Sequence, residues 1–112
     1  MNYRTFNLKE GMPTVELALA NIEIEIDRCH SEGVKVLKVI HGYGSSGVGG
    51  EIKKALSNWL RIKKRSGLIK DYIKGEEWPT SSKSTKIKEQ IPEVLGDMEL
   101  YFSNPGLTIL IL

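Results

Sequence analysis

His41 closes an apolar, β-branched run, Val39-Ile40, and is followed at once by Gly42-Tyr43-Gly44-Ser45-Ser46-Gly47-Val48-Gly49-Gly50. Five glycines in those nine positions let the backbone take positive φ and leave N–H groups uncovered, which suits a loop that wraps an anion. A helical pattern begins at Glu51, so these amides would also gain the positive end of a helix dipole. A phosphate is the expected ligand, and the backbone and side chains of Gly42, Tyr43, Gly44, Ser45, Ser46 and Gly47 are its candidate contacts. His41 adds a group that titrates near neutral pH, a candidate for acid/base work.

Charge points the same way. The net charge of +2 hides an uneven distribution. Residues 1–50 hold five basic and six acidic side chains, and residues 75–112 hold three and six. Residues 51–74 hold eight basic and two acidic, a local balance of +6. Lys53, Lys54, Arg61 and the Lys63-Lys64-Arg65 group therefore lie on the helix that follows the glycine loop. Beside an anion-binding loop, such a cluster reads as a polyanion footprint; by itself it is a solvated helix face.

Other readings of the loop are weaker. Gly42-Tyr43-Gly44-Ser45-Ser46-Gly47 satisfies the G-x-G-x-x-G dinucleotide fingerprint, but the histidine intrudes and too little chain follows for a paired nucleotide fold. A Walker A loop fails because Glu51 stands where Lys-Ser/Thr is required. A plain glycine-rich connection is the remaining alternative.

The elements that must position these residues follow from periodicity. Tyr3 to Leu8 alternates as a short strand. Thr14 caps a helix with Glu16 in its first turn, Val15, Ala18, Leu19, Ile22, Ile26 and Cys29 on one face, and Gly33 as its stop. Ile22-Glu23-Ile24-Glu25-Ile26 also alternates like a strand, but caps and stop bracket the whole stretch as helix. Val34 to Ile40 is a largely buried strand. The second helix runs from about Gly49 to Lys64, with Val48, Ile52, Ala55, Leu56, Trp59 and Leu60 as its stripe. Leu68 to Ile73 and Leu107 to Leu112 are further strands. Residues 75–106 look irregular and too long for a connection, with an amphipathic fragment around Ile87 to Leu95. Part of this stretch is expected to be a mobile insertion, and Leu100-Tyr101-Phe102 to extend the last strand as a hairpin. The order predicts one α/β domain over residues 1–112: an open two-layer sandwich, βαβα followed by two closing strands. Parallel pairing of the first two strands would bring Asn7 and Lys9 beside His41.

The strand–His41-Gly42-Tyr43-Gly44–loop–helix arrangement resembles the H-G-x-G signature of the small MutS-related (Smr) domain. Phe6 to Glu16 occupies the place of that family's L-D-x-H-G motif and helix start. Glu51 to Leu60 resembles its second helix, and Gly106 to Leu112 its closing strand. The resemblance implies a fold like the C-terminal domain of translation initiation factor 3 and binding to DNA or RNA, in many members with endonuclease activity. It places Asn7 and Lys9 where the family has an Asp and a His. Asn cannot serve as a carboxylate base, whereas Lys9 can still neutralise a phosphate. His41, with Lys9 beside it, is the remaining catalytic candidate for phosphodiester hydrolysis.

Composition limits the alternatives. Cys29 is the only cysteine, so no disulfide forms within the chain and no thiolate metal cluster exists; no metal or other cofactor is expected. His30 lies in an acidic helix and is expected to be exposed. No apolar run could cross a bilayer, Met1-Asn2-Tyr3-Arg4 opens no signal peptide, and a cytoplasmic location is expected. The expected partner is nucleic acid. A protein partner engaged through residues 75–105 is the alternative from a different class.

Overall fold

The computed structural model of the chain describes residues 1–43 and 48–112; Gly44, Ser45, Ser46 and Gly47, expected to hold phosphate, lie outside the described residues, as does the side chain of Val48. Four strands, β1 (Tyr3–Asn7), β2 (Val36–Ile40), β3 (Asp71–Lys74) and β4 (Leu107–Ile111), alternate with helices α1 (Val15–Glu32), α2 (Val48–Ser66) and α3 (Ser82–Gln90). The order in the sheet is β1-β2-β4-β3, with β1 parallel to β2 and β4 antiparallel to both its neighbours.

Local chemistry accounts for the first helix. Thr14 has an extended backbone and its hydroxyl accepts from the Leu17 N–H at 3.2 Å, as an N-cap requires. Gly33, at φ 74°, ends the helix in the left-handed region and donates to carbonyls of the last turn. Ile22 and Ile26 are buried while Ile24 is exposed, so the period of the helix overrides the strand-like alternation. Cys29 is fully buried, and His30 is exposed.

The central strand β2 alternates between two cores. Leu37 and Val39 pack with Ile22, Ile26, Ile52, Leu56 and Leu60 beneath α1 and α2. Val36 turns the other way, with Ile73, Leu107 and Ile109, onto Trp78, Ile87, Ile91, Val94 and Leu100. Burial on both faces is why this strand reads as a nearly unbroken apolar run.

The second core comes from the segment that looked irregular. It carries α3 and 3-10 turns at Trp78–Thr80, Pro92–Gly96 and Met98–Leu100, and it covers the sheet face opposite α1 and α2. No hairpin forms at Leu100-Tyr101-Phe102: Leu100 inserts into the second core while Tyr101 and Phe102 stay exposed, and β4 begins only at Leu107. Lys38, almost wholly buried, fixes this layer. Its ammonium donates to Asp97 and Glu99 at 2.6 Å each, and the Tyr3 hydroxyl donates to the same Asp97 oxygen at 2.6 Å. Burial works against the charged lysine, but the two carboxylates outweigh it and hold its pKa above the ordinary value.

Candidate functional site

Since β1, β2 and β3 run the same way and β4 against them, Asn7, Ile40 and Lys74 all end at the edge where Leu107 begins. The expected convergence of the first two strand ends is present in the backbone. Asn7 pairs with Ile40 in register, and the Leu8 N–H donates to the Ile40 carbonyl at 2.8 Å. The Asn7 side-chain oxygen accepts from the Lys9 N–H at 3.2 Å, turning the chain away from the sheet. Both side chains are exposed, and among the described residues no hydrogen bond joins either to His41.

His41 itself has no exposed surface. Its Nδ1–H donates to the Gly42 carbonyl at 2.6 Å, and its Nε2 accepts from the Thr108 hydroxyl at 2.9 Å. The neutral ring protonated on Nδ1 satisfies both contacts, because a carbonyl can only accept. Burial drives the pKa below the ordinary histidine value; the Gly42 carbonyl opposes the shift and Lys53 adds to it. Both ring nitrogens are thus committed within the protein. The main-chain N–H groups of His41 and Gly42 are committed as well, to the Gly106 carbonyl at 2.9 and 3.0 Å. Gly42 takes φ 75°, a conformation that lets the chain leave β2. Tyr43 lies on the surface with its ring edge against Gly106, where an added Cβ would come within 3.2 Å of Tyr43 Cδ1.

Glu76, just past β3, belongs to the same edge. Lys53 of α2 donates to Glu76 Oε2 at 2.8 Å, while Glu76 Oε1 is buried without a partner among the described residues. Burial raises the carboxyl pKa, but the Lys53 ammonium outweighs it and holds Glu76 below its usual range.

The cations of α2 divide into two sets. Lys63 pairs with Glu23 at 3.1 Å and lies 5.3 Å from the Trp59 ring centre; Lys64 pairs with Asp71 at 3.0 Å. With Lys53 on Glu76, three of the expected phosphate contacts are therefore neutralised within the fold. Lys54, Arg61, Arg65 and Lys74 have no ion-pair partner among the described residues. Lys54 and Arg61, seven residues apart and so on one face of the helix, meet Tyr72 and Lys74 of β3 across an open groove of about 710 Å³. Ser57 and Asn58 add polar atoms, Asn58 accepting from Arg61, and Glu51 is the one carboxylate in the lining. Such a groove offers cations and donors to an extended anion.

Sequence reasoning missed Glu76, Thr108 and Tyr72 as members of this region, and counted Lys74 in the basic stretch without placing it on β3. A lysine at position 38 within an apolar run was the available signal for a carboxylate pair elsewhere; no comparable signal marked the others. Among the described residues, no group of three or more His, Cys, Asp or Glu could hold a metal ion, and no helix is long and apolar enough to cross a membrane.

The family model for the Smr domain matches residues 10–87. The match opens just past Asn7 and Lys9. Among solved structures, the crystal structure of the Smr domain of Thermus thermophilus MutS2 is similar over 97% of this chain and 96% of that one, with a TM-score of 0.59 at 17% identity. No curated protein matches the chain in sequence.

Proposed function

The chain belongs to the Smr domain family, whose members bind nucleic acids and in many cases cut them, and on that premise we propose that it binds nucleic acid through phosphate contacts along the α2–β3 groove. The observation that carries this reading is the pairing pattern: Lys54, Arg61 and Lys74 face one groove without ion-pair partners among the described residues, while Lys53, Lys63 and Lys64 are held by carboxylates. Phosphate contacts of this kind position a strand without reading its sequence. Lys9, exposed at the neighbouring strand edge, adds a further contact, and Gly44, Ser45, Ser46 and Gly47 complete the phosphate-holding part of the reading.

The same reading makes the protein a binder rather than an effective nuclease. A positioned proton-transfer group contributes about 10²–10⁴-fold to such reactions. Asn7 has no titrating group, Lys9 is exposed, and His41 has both nitrogens occupied. His41 holds the strand end to the Asn104-Pro105-Gly106 turn.

The test is anisotropy with labelled single-stranded, duplex and branched DNA and RNA across a salt series, scored also for cleavage. The four cationic phosphate contacts, Lys54, Arg61, Lys74 and Lys9, predict that log affinity falls against log salt with a slope of about −3.6 on duplex DNA and about −2.8 on single strands. Salt-independent binding would remove the groove from the account. Robust metal-free cleavage that survives His41→Ala would place chemistry on residues read here as scaffold.

A further inference from the structure

The chain from Ile91 to Leu100, which closes the second core, is bonded with a period of three. The Val94 N–H donates to the Ile91 carbonyl, Asp97 to Val94 and Leu100 to Asp97, each at 3.1 Å. Where 3-10 bonds link residues three apart, their side chains share one side. Ile91, Val94 and Leu100 accordingly face inward and are buried, and Asp97 between them meets Lys38. The rows between face out. Leu95, Met98 and Tyr101, again three apart, are 47%, 72% and 60% exposed. The Tyr101 N–H donates to the Met98 carbonyl at 3.2 Å and its hydroxyl to the Leu95 carbonyl at 2.5 Å, which pins the ring back along this row. The neighbouring row holds exposed Glu93, Glu99 and Phe102. Single apolar side chains on a surface need no explanation, but a row of them beside carboxylates marks a place of contact.

We propose that this surface docks a basic protein segment, one that carries lysine or arginine beside apolar side chains. Charge complementarity selects the occupant. Residues 89–112 contain Glu89, Glu93, Asp97 and Glu99 but no lysine or arginine. Among the described residues, Lys38 is the one cation paired with them, 2.6 Å from both Asp97 and Glu99 and almost wholly buried. One ammonium between two carboxylates leaves a negative charge, which the half-exposed Glu99 carries to the surface. Glu93 is exposed and has no ion-pair partner among the described residues. These charges repel a nucleic-acid strand and attract lysine and arginine, while the row from Leu95 to Tyr101 offers apolar contact to the same segment. The surface belongs to the layer on the sheet face opposite α1 and α2 and shares no residue with the α2–β3 groove, so the inference stands apart from groove binding.

The experiment selects random peptides displayed on phage against the full chain, with a Met98→Ser, Phe102→Ser double variant for counter-selection. Both side chains are exposed, so the variant is expected to keep the parent's urea midpoint. Selected peptides should combine lysine or arginine with apolar residues. Synthetic copies should bind the parent and lose about tenfold in affinity on the double variant. Glu93→Lys should weaken the same peptides and flatten the fall of their affinity with salt. Oligonucleotide binding should be unchanged in the double variant. A selection that yields no binder, peptides without a basic excess, or peptides that bind the variant as well as the parent would overturn the proposal. Loss of oligonucleotide binding in the double variant would give the surface to nucleic acid. A dimer seen by sedimentation that the double variant abolishes would give it to a second copy of the chain. Either result overturns the basic segment as its occupant.

Discussion

The His41 edge and the α2–β3 groove share the start of α2 and the end of β3, yet their polar atoms are satisfied in opposite ways. At the edge, the buried polar groups around His41 have internal partners: His41 on Gly42 and Thr108, two main-chain N–H groups on Gly106, Lys53 on Glu76. Along the groove, Lys54, Arg61 and Lys74 face water. Internal satisfaction makes the edge a brace that fixes where the strands end. The groove cations have no carboxylate partner among the described residues, which is why the proposed binding is assigned to them. The proposed surface is therefore picked out by partnership and not by residue type.

If that contrast is right, substitutions at the edge act on stability and substitutions in the groove act on binding. The largest stability effect is expected at Gly75, where an added Cβ would sit 2.1 Å from the Asn104 carbonyl oxygen and 2.7 Å from that of Leu107. Both atoms belong to the backbone that locks β3 to the turn and neither can rotate aside. Gly75→Ala should cost about 3 kcal/mol or more in denaturant unfolding. Gly96→Ala, with nothing within 4 Å, should change stability little.

His41→Ala comes next. It empties a buried site and strips partners from the Thr108 hydroxyl and the Gly42 carbonyl, which is expected to cost about 2–4 kcal/mol. The pH dependence has a definite sign. The folded-state pKa lies below the unfolded value of about 6.5, so the unfolded chain binds more protons between the two. The contribution of His41 is fully present above about pH 6.5 and is lost as pH falls through the folded value. Urea midpoints measured from pH 8 down to pH 5 should show this loss in the parent, and His41→Ala should lack that component.

Much of this fold was legible in the sequence because its signals are local. Thr14 and Gly33 marked the ends of α1, the apolar run marked β2, and the order of elements placed Asn7 beside the end of β2. What escaped reading depends on residues far apart. Lys38 meets Asp97 and Glu99, which are 59 and 61 positions away, and His41 meets Thr108, 67 positions away. The charge count over residues 51–74 left out Glu23 and Glu76 for the same reason, since they reach Lys63 and Lys53 from outside that stretch. Residues 78–100 looked irregular because their apolar residues, Trp78, Ile87, Ile91, Val94 and Leu100, follow no single period. They cover the sheet from short turns rather than from one helix.

Smaller effects sharpen the contrast on the groove side. Lys54→Glu with Arg61→Glu should reduce the salt slope for duplex binding by about 1.8, one contact each at about 0.9. The parallel change Lys63→Glu with Lys64→Glu is expected to leave that slope nearly unchanged, because these cations are already paired. Its cost falls on stability, and for exposed pairs amounts to about 1 kcal/mol or less for each.

Mapping backbone amide shifts while an oligothymidine strand is titrated into labelled protein tests the central claim most directly. The account predicts that the responding amides run along Lys54, Ser57, Asn58 and Arg61 and across to Tyr72 and Lys74. Those at Glu23, Lys63 and Lys64 and along α3 should stay still. Shifts centred on Lys63 and Lys64, with the groove silent, would show that the paired cations give up their carboxylates for the ligand, and would contradict the account.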